Sequence, residues 1–343
     1  MRTGAERVAR LQRLIAAGQA AEALAECREL VAFRPRSPNF HHLLGTALAA
    51  LGDVAGALDS YDAALDLRIT FQSAQADLCA LLARRGQATG RYPITVITPT
   101  IGTAHLARAI ASVQAQSYGK VEHLVVVDGP DGAAAAERAV PAAPRHPVHL
   151  LRLPFNTGAG GFNGHRIYGA AVYLVSGRYV AFLDEDNAFE PDHLAKMMDL
   201  IEANGLQWAH SLRRVVDTDG RVVDNDDCEC LGRWPSWEPP HRHVIDTSCY
   251  LVRRDIAIRF SPVFHRRFRD EVSPDIALCD LLLRHAPDFG CSGAHSVLYT
   301  VGRSETSVSH AFFTHGNALM RQRYGERPPW HGPTLTRDAR QGA

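Results

Sequence analysis

The chain has 343 residues, enough for two domains and a large buried core. Its 37 Lys and Arg residues balance 37 Asp and Glu residues, so its charge excludes a general nucleic-acid-binding protein. No apolar run is long enough for a transmembrane helix, the N-terminal segment lacks an apolar signal core, and the seven cysteines are scattered. We therefore expect a cytoplasmic protein with reduced thiols, with peripheral attachment at the inner face of the membrane as an alternative.

The N-terminal segment repeats at an interval of 34 residues, as at Gly18, Gly52 and Gly86. The middle unit fits the tetratricopeptide pattern of two antiparallel helices per repeat. In this unit Gly52 and Ala57 would let the paired helices approach closely, and Tyr61 would fill the space between them. We expect an all-α array that caps the rest of the chain, binds a protein partner or self-associates.

Strands and helices alternate after a polar linker. This order predicts an α/β domain whose sheet carries helices on both faces and binds ligands at the carboxyl ends of its strands. The predicted boundaries are a helical array at 1–88, a linker at 89–93, the α/β domain at 94–325 and a polar tail at 326–343. The predicted strands span 94–98, 123–127, 149–153 and 179–183, and the predicted helices span 106–116, 163–175 and 191–203.

Two carboxylates, Asp184 and Asp186, follow the last of these strands. Side chains at positions i and i+2 of an extended segment point the same way, so both can reach one cation. A hard divalent ion such as Mg2+ or Mn2+ prefers carboxylate ligands and keeps positions open for phosphates. The same spacing recurs at Asp217 and Asp219, but there the following glycine and the flanking alternating segments predict a hairpin turn.

Polar residues also end the other predicted strands. At Thr98-Pro99-Thr100 the chain turns, and its backbone groups become free to meet a ligand. Asp128 can accept a hydrogen bond from a nucleobase or a ribose hydroxyl, or simply form a turn. A glycine-rich loop at 156–164 can cradle a phosphate, although it lacks the P-loop ending. Arg166 follows it and can meet a diphosphate or a nucleobase carbonyl.

Together these motifs resemble the family 2 glycosyltransferases of the GT-A fold, which have a Rossmann-like mixed sheet. Each motif is short, but their order and spacing are specific, and the resemblance covers roughly residues 93–320. The matching segments are ITVITPT at 94–100, ASVQAQSY at 111–118, VVVDGPDG at 125–132, NTG at 156–158, Arg166 with Gly169, GRYVAFLDED at 177–186 and PDHL at 191–194.

The resemblance implies roles for several of these residues. Asp128 would contact the nucleobase or ribose, Asp184 the ribose or the metal, and Asp186 would be the main metal ligand. The family places its catalytic base in an acidic pair at the start of a later helix, and the counterpart here is Asp275, with Asp270 and Glu271 as rivals. The departures are a Gly-Pro-Asp-Gly sequence after Asp128 and a proline before Asp275, where the family has an acid.

Five further residues are candidates in the second half of the chain. Trp234 and Trp237 resemble an acceptor loop, because indole rings stack on sugars, but ordinary core packing explains them as well. Asp246 is expected on the acceptor side. His310 and His315 are candidates for a third metal ligand, although most lone histidines bind no metal.

We therefore predict a metal-dependent, inverting glycosyltransferase. It would use Mn2+ or Mg2+ to move a sugar from a UDP- or GDP-linked donor to a glycan, a lipid-linked glycan or a protein. One alternative is a sugar-phosphate nucleotidyltransferase, which would normally carry a basic loop after its first strand. The other is a non-catalytic tetratricopeptide scaffold with a degenerate GT-A domain.

Overall fold

A computed structural model describes residues 4–68, 70–87, 92–268, 272–302 and 308–336. The chain divides into two compact units, Met1–Ala88 and Thr89–Ala343. Asp270 and Glu271, the rival candidates for the base, lie outside the described residues. Among the helices of the described ranges, none combines the length and the apolar character needed to cross a membrane.

The N-terminal unit is an all-α array, as predicted. Each helix packs against the next along the chain, and buried residues such as Leu11, Leu30 and Leu43 form its core. A second buried cluster surrounds Tyr61. The helices are α1 (Gly4–Ala16), α2 (Ala20–Phe33), α3 (Pro38–Ala50), α4 (Val54–Leu67) and α5 (Gln72–Gln87).

The small residues of the repeat act differently from the prediction. A Cβ atom at Gly45 of α3 would lie 2.6 Å from the Tyr61 ring, so it is Gly45 that admits the tyrosine between α3 and α4. Gly52 instead lies in the turn between these helices, with a φ of +81°. A Cβ atom at this position would have no contact within 4 Å. The prediction that Gly52 permits close helix packing is therefore wrong; its role is a left-handed backbone turn.

The second unit is built on one mixed sheet, which confirms the predicted α/β class. Its strands are β1 (Ile94–Thr100), β2 (Val121–Val127), β3 (Val148–Arg152), β4 (Tyr179–Phe182), β5 (Ala188–Phe189), β6 (Trp208–Val216), β7 (Val222–Asn225), β8 (Tyr250–Arg253), β9 (Phe289–Thr300) and β10 (Thr334–Leu335). Its helices are α6 (Leu106–Gln114), α7 (Ala133–Ala139), α8 (His165–Ala171), α9 (His193–Asn204), α10 (Arg254–Phe260), α11 (Pro274–His285) and α12 (His310–Tyr324).

The strand order is β10-β9-β6-β8-β4-β1-β2-β3, with β5 paired to β9 and β7 paired to β6. Strands β3, β2, β1 and β4 run parallel, and β8 is antiparallel to both β4 and β6. All seven residues of β1 are buried, as expected for a central strand covered on both faces. Because β1, β2 and β4 are parallel neighbours, the residues that follow them meet at one edge of the sheet.

Two further sequence predictions have opposite outcomes. Residues 217–221 form the turn between the antiparallel strands β6 and β7, and Asp217 Oδ1 accepts hydrogen bonds from the amides of Asp219 and Arg221, so the turn prediction is confirmed. The predicted polar tail is wrong for residues 326–336. There Trp330 is completely buried and β10 pairs with β9, because one aromatic residue anchors an otherwise polar segment.

Candidate active site

A cleft of about 610 Å³ opens where β1, β2 and β4 end. Its volume is in the range of sites that bind small molecules and cofactors. Five aspartates line it, and none of the described residues around it is Lys or Arg. The lining residues are Pro99, Thr100, Ile101, Asp128, Asn156, Gly158, Ala159, Asn163, Gly164, His165, Tyr168, Asp184, Glu185, Asp186, Asp246, Asp275 and Tyr299.

Asp184 is held by hydrogen bonds from two hydroxyl groups. Its Oδ1 atom accepts a hydrogen bond from the Tyr168 hydroxyl at 2.7 Å, and Ser248 Oγ donates to Oδ2 at 3.4 Å. Burial and the neighbouring charges of Asp246 and Asp275 together raise the pKa of Asp184 to about 7, although the two hydrogen bonds act in the opposite direction. A cation at this position would relieve the repulsion between these carboxylates.

Asp186 is placed by its own backbone. Its carbonyl oxygen accepts hydrogen bonds from Arg108 Nη2 and Thr300 Oγ1, both at 2.6 Å. These contacts tie the end of the Asp-Glu-Asp segment to α6 and β9. Asp184 and Asp186 both line the cleft, as the i, i+2 spacing implies.

Glu185, between them, holds the end of β1. Thr100 Oγ1 donates to Glu185 Oε2 at 2.5 Å, and the Thr103 amide donates to the same oxygen at 3.2 Å. The middle acid of the motif therefore fixes the loop that forms one wall of the cleft. The sequence pattern does not reveal this contact, because the two partners lie more than 80 positions apart.

Asp128 is buried at the end of β2 and binds the glycine-rich loop. Its Oδ1 accepts the Thr157 amide at 2.6 Å and its Oδ2 accepts the Gly158 amide at 2.9 Å. The loop amides that were candidates for a phosphate cradle are thus directed at a carboxylate. A Cβ atom at Gly158 would lie 2.4 Å from the carbonyl oxygen of Asn163, so only glycine fits there.

Arg166 supports this loop from outside the cleft. Its Nη1 donates to the Thr157 carbonyl at 3.2 Å, and its guanidinium lies 3.5 Å from the centroid of the Phe162 ring. It does not line the cleft. Thr98 does not line it either, because its hydroxyl is hydrogen-bonded to His123 Nε2 inside the sheet, whereas Pro99 and Thr100 do.

The short turn 246–248 arranges the other side of the cleft. The Thr247 amide donates to Asp275 Oδ1 at 3.0 Å, and the Thr247 hydroxyl donates to the same oxygen. Burial raises the pKa of Asp275, and the charge of Asp246 raises it further. Asp275 stands in the first turn of α11, whose N-cap is Ser273 rather than Asp275.

Asp246 is held in a fixed orientation between two partners. Its Oδ1 accepts the Ser248 amide at 2.8 Å, and its Oδ2 accepts Arg213 Nη1 at 2.8 Å. Arg213 is almost fully buried and also bonds Asp226 and Glu229. It is a positioning residue for Asp246 that the sequence reasoning missed.

The remaining sequence candidates lie away from the cleft. Trp237 packs edge-on against His315, with ring centroids 5.2 Å apart, and Trp234 packs edge-on against Trp330 at 5.7 Å. His310 Nε2 lies 3.9 Å from Asp224 Oδ2. None of the two tryptophans and two histidines is among the cleft-lining residues; the tryptophans pack on the buried cluster that includes Phe313 and Trp330.

Comparison with known proteins identifies this unit. Residues 95–263 match the family model described as glycosyl transferase family 2. This part of the chain is a glycosyltransferase family 2 domain. The mixed sheet, with Asp184 and Asp186 directly after its fourth strand, agrees with the predicted GT-A fold. The match contains every cleft-lining residue named above except Asp275 and Tyr299.

A curated relative is similar to part of this chain. "Succinoglycan biosynthesis protein ExoO" from Rhizobium meliloti (strain 1021) is 35% identical over 164 residues, which cover 48% of this chain and 44% of that protein. The chain thus spans less than half the length of this relative.

Solved structures of TarS from S. aureus are also similar. The complex with UDP-GlcNAc is 15% identical and covers 68% of this chain and 66% of that chain, with a TM-score of 0.46. The complex with UDP is 16% identical and covers 68% and 65%, with a TM-score of 0.45. Scores of this size indicate a loose superposition.

The N-terminal array matches a different description. Residues 5–69 match the bacterial transcriptional activator domain model. The all-α prediction is confirmed, and the finer tetratricopeptide assignment stays a prediction.

Tyr168, His165 and Tyr299 also line the cleft without having been predicted. Tyr168 follows Arg166 by two positions in α8, and its burial beneath Asp184 depends on how α8 packs on the sheet. Only the three-dimensional fold brings Tyr299 of β9 to the same edge. The periodic spacing of apolar residues in a sequence does not indicate such contacts.

Proposed function

We propose that the family 2 domain is a metal-dependent, inverting glycosyltransferase that moves a sugar from a nucleoside diphosphate donor. The observation that carries the proposal is the charge of the cleft: five aspartates line it, and no described lining residue is Lys or Arg. A donor diphosphate is itself an anion, so it would be repelled from this cleft unless a cation accompanied it.

Asp184 and Asp186 are the residues that would hold the cation. Both line the same cleft, and the burial and neighbouring charges that raise the pKa of Asp184 support the placement of a cation there. Such oxygen ligands suit Mg2+ or Mn2+. Within the described residues, the groups of three close ligand atoms lie elsewhere, so donor oxygens or water would complete the coordination. The ion would neutralise charge on the leaving diphosphate.

Asp275 is the proposed base. An inverting transfer needs a carboxylate that takes the acceptor's proton on the face opposite the leaving group. Burial and the charge of Asp246 raise the pKa of Asp275, which makes its ionised form a stronger proton acceptor. Thr247 holds one oxygen of Asp275 and fixes its orientation.

The other cleft residues divide between donor and acceptor. Asp128, with Pro99 and Thr100, would receive the nucleoside, and Arg166 would act by supporting the loop that binds Asp128. Asp246 would face the acceptor. The donor would be UDP- or GDP-linked.

The acceptor proposed here is a polysaccharide or its lipid-linked precursor, which the name of the succinoglycan biosynthesis relative supports. A protein acceptor is the alternative. We assign the N-terminal array to tetratricopeptide-like recruitment of a partner or to self-association, based on its 34-residue interval and its consecutive helix packing. Such a protein would work in the cytoplasm, at the inner face of the membrane.

A donor-hydrolysis assay tests the proposal. The full chain is incubated with a panel of UDP- and GDP-sugars, with and without Mn2+, and nucleoside diphosphate release is measured. We expect Asp186→Asn to lower metal-dependent turnover by about 100-fold or more. Asp219→Asn is the matched control, since it changes the second acid of the exposed Asp-x-Asp turn, and it should leave turnover unchanged.

The outcome also separates the alternatives. If the protein instead releases pyrophosphate from a nucleoside triphosphate and a sugar phosphate, and no nucleoside diphosphate from the sugar donors, it is a nucleotidyltransferase, for which the cleft lacks basic lining among the described residues. If calorimetry shows no binding of UDP, GDP or Mn2+, the domain is a scaffold. Full activity of Asp186→Asn would remove the proposed mechanism.

A further inference from the structure

A second group of metal-ligating side chains lies outside the cleft. Asp227, at the end of the β6–β7 hairpin, His295 in β9 and His331 in the loop after α12 bring one ligand atom each to within 4.8 Å of one another. The three residues come from three separate segments of the chain. We propose that they form a binding site for a divalent transition-metal ion of the zinc class, which fastens the C-terminal segment to the sheet.

The distances suit an ion held between the three side chains. His295 Nε2 lies 3.0 Å from Asp227 Oδ1, and His331 Nε2 lies 2.7 Å from the same oxygen. Ligand atoms bonded to one tetrahedral zinc ion at about 2.0–2.2 Å are roughly 3.3–3.6 Å apart, slightly more than these two distances. A small outward rotation of the more exposed imidazole, His331, would therefore admit the ion.

The carboxylate is prepared for this role. The Asp227 Oδ1 atom is hydrogen-bonded to the Nε2 atoms of His295 and His331. The Trp330 Nε1 atom donates to Oδ1 at 2.9 Å. That donor can remain while Oδ1 binds a metal, so Trp330 would orient the carboxylate from the second layer.

The backbone brings the two histidines together. A Cβ atom at Gly293, whose φ is +68°, would lie 2.3 Å from the backbone nitrogen of Gly332. Only glycine permits this approach of β9 to the C-terminal loop. Gly293 precedes His295 by two positions and Gly332 follows His331, so the contact sets both imidazoles beside Asp227.

The three side chains differ in their exposure to solvent, and the site is open to water on one side. The side chains of Asp227 and His295 are 16% and 9% exposed, whereas His331 is 36% exposed. An ion held by three protein ligands would therefore complete its coordination with water from the His331 side. Imidazole nitrogens favour zinc over Mg2+, in contrast to the carboxylate oxygens of the cleft.

The other group of close ligand atoms does not compete with this assignment. Asp226, Glu229 and Cys230 also lie within 4.8 Å of one another, but the guanidinium of Arg213 already bonds Asp226 and Glu229. A cationic side chain thus fills that position. The Asp227 group instead contains two imidazoles, a type of side chain that binds metal ions, and no arginine.

Metal analysis of the full chain tests the proposal. The protein is stripped with a chelator and dialysed, then titrated with Zn2+ in competition with a chromophoric chelator. We expect the wild type to bind one equivalent of zinc, and His331→Ala to bind it with about 100-fold lower affinity. Zinc should raise the Tm of the wild type by several degrees but leave that of His331→Ala unchanged. Co2+ should give the visible absorption of a nitrogen- and oxygen-bound ion in the wild type and lose it in the variant.

His149→Ala is the matched control. Its imidazole is exposed and lies 3.8 Å from the Glu122 carboxylate, so it is also a histidine beside an acid, but without a third ligand. It should keep the wild-type zinc affinity, as should Asp186→Asn. Absence of stoichiometric zinc in the wild type, or equal affinity in His331→Ala, would overturn the proposal. Neither result bears on sugar transfer, because the cleft shares no residue with this site.

Discussion

Two clusters of buried or partly buried acids in this domain are compensated in different ways. Around Arg213, the Asp226 and Asp246 carboxylates each bond a guanidinium nitrogen, and although burial acts in the opposite direction, Arg213 lowers the pKa of Asp226. In the cleft, the described residues give Asp184 and Asp275 hydrogen bonds from neutral donors, and their pKa values are raised. The first cluster contains its own cation, whereas under the proposed function a metal ion would supply the cation of the second.

Asp275→Asn gives the largest expected effect. Loss of the base should lower kcat by about a thousandfold while the donor Kd changes little. Stability should rise, because the substitution removes a buried charge near Asp184 and Asp246 and keeps the oxygen that Thr247 binds. Steady-state kinetics, donor titration and thermal unfolding measure the three quantities.

Asp280→Asn is the control for this variant. It lies on the same helix, α11, in an exposed pair with Arg284, and it should change neither activity nor stability measurably. Unchanged kcat in Asp275→Asn would transfer the role of base to another acid. Lower stability with unchanged kcat would make Asp275 a structural residue.

Arg213→Met tests the compensated cluster. Removing the guanidinium leaves Asp226, which is fully buried, and its neighbours without their cation, so we expect a loss of about 3–5 kcal/mol in the free energy of unfolding. Urea denaturation at pH 7 measures it. Arg221→Met, which breaks an exposed pair with Asp219, should cost less than about 1 kcal/mol. Similar losses in both variants would contradict the comparison.

The smallest expected effect concerns a group kept neutral by burial. Burial lowers the pKa of His193 from its ordinary 6.5 to about 3. Between these values the unfolded chain binds a proton that the folded protein does not, so stability falls as pH drops below about 6.5. This residue contributes at most about 1.4 kcal/mol per pH unit.

His193→Gln should therefore lose less stability than the wild type between pH 7 and pH 5.5, by about 1 kcal/mol. Urea denaturation at the two pH values gives the difference. His149→Gln, an exposed histidine, serves as the reference and should follow the wild type. An identical pH dependence in His193→Gln and the wild type would show that His193 titrates normally in the fold.

The sequence predicts what periodicity and strand-end position determine. Strand ends gave Asp128, Asp184 and Asp186, all of which line the cleft, and the turn at Asp217 was recognised from its glycine. Those features depend on residues close in the chain. The helices of the N-terminal unit were predicted for the same reason, because they too depend on residues close in the chain.

Contacts between distant segments escaped prediction. Arg213 lies in a strand that reads as ordinary alternation, and only the fold shows it beside Asp246. Trp234 and Trp237 were candidates because of their chemistry, but they pack on residues near α12 rather than on the cleft. An isolated aromatic motif does not reveal which surface it faces.

If Asp128 contacts the nucleoside as proposed, its two amide contacts would link nucleotide binding to the structure of the loop. Any ligand group that hydrogen-bonds this carboxylate must share oxygens already bound by the Thr157 and Gly158 amides. The backbone N–H signals of these two residues would therefore report occupancy of the nucleoside position directly. Binding of an unlabelled nucleotide could therefore be followed through these two backbone signals.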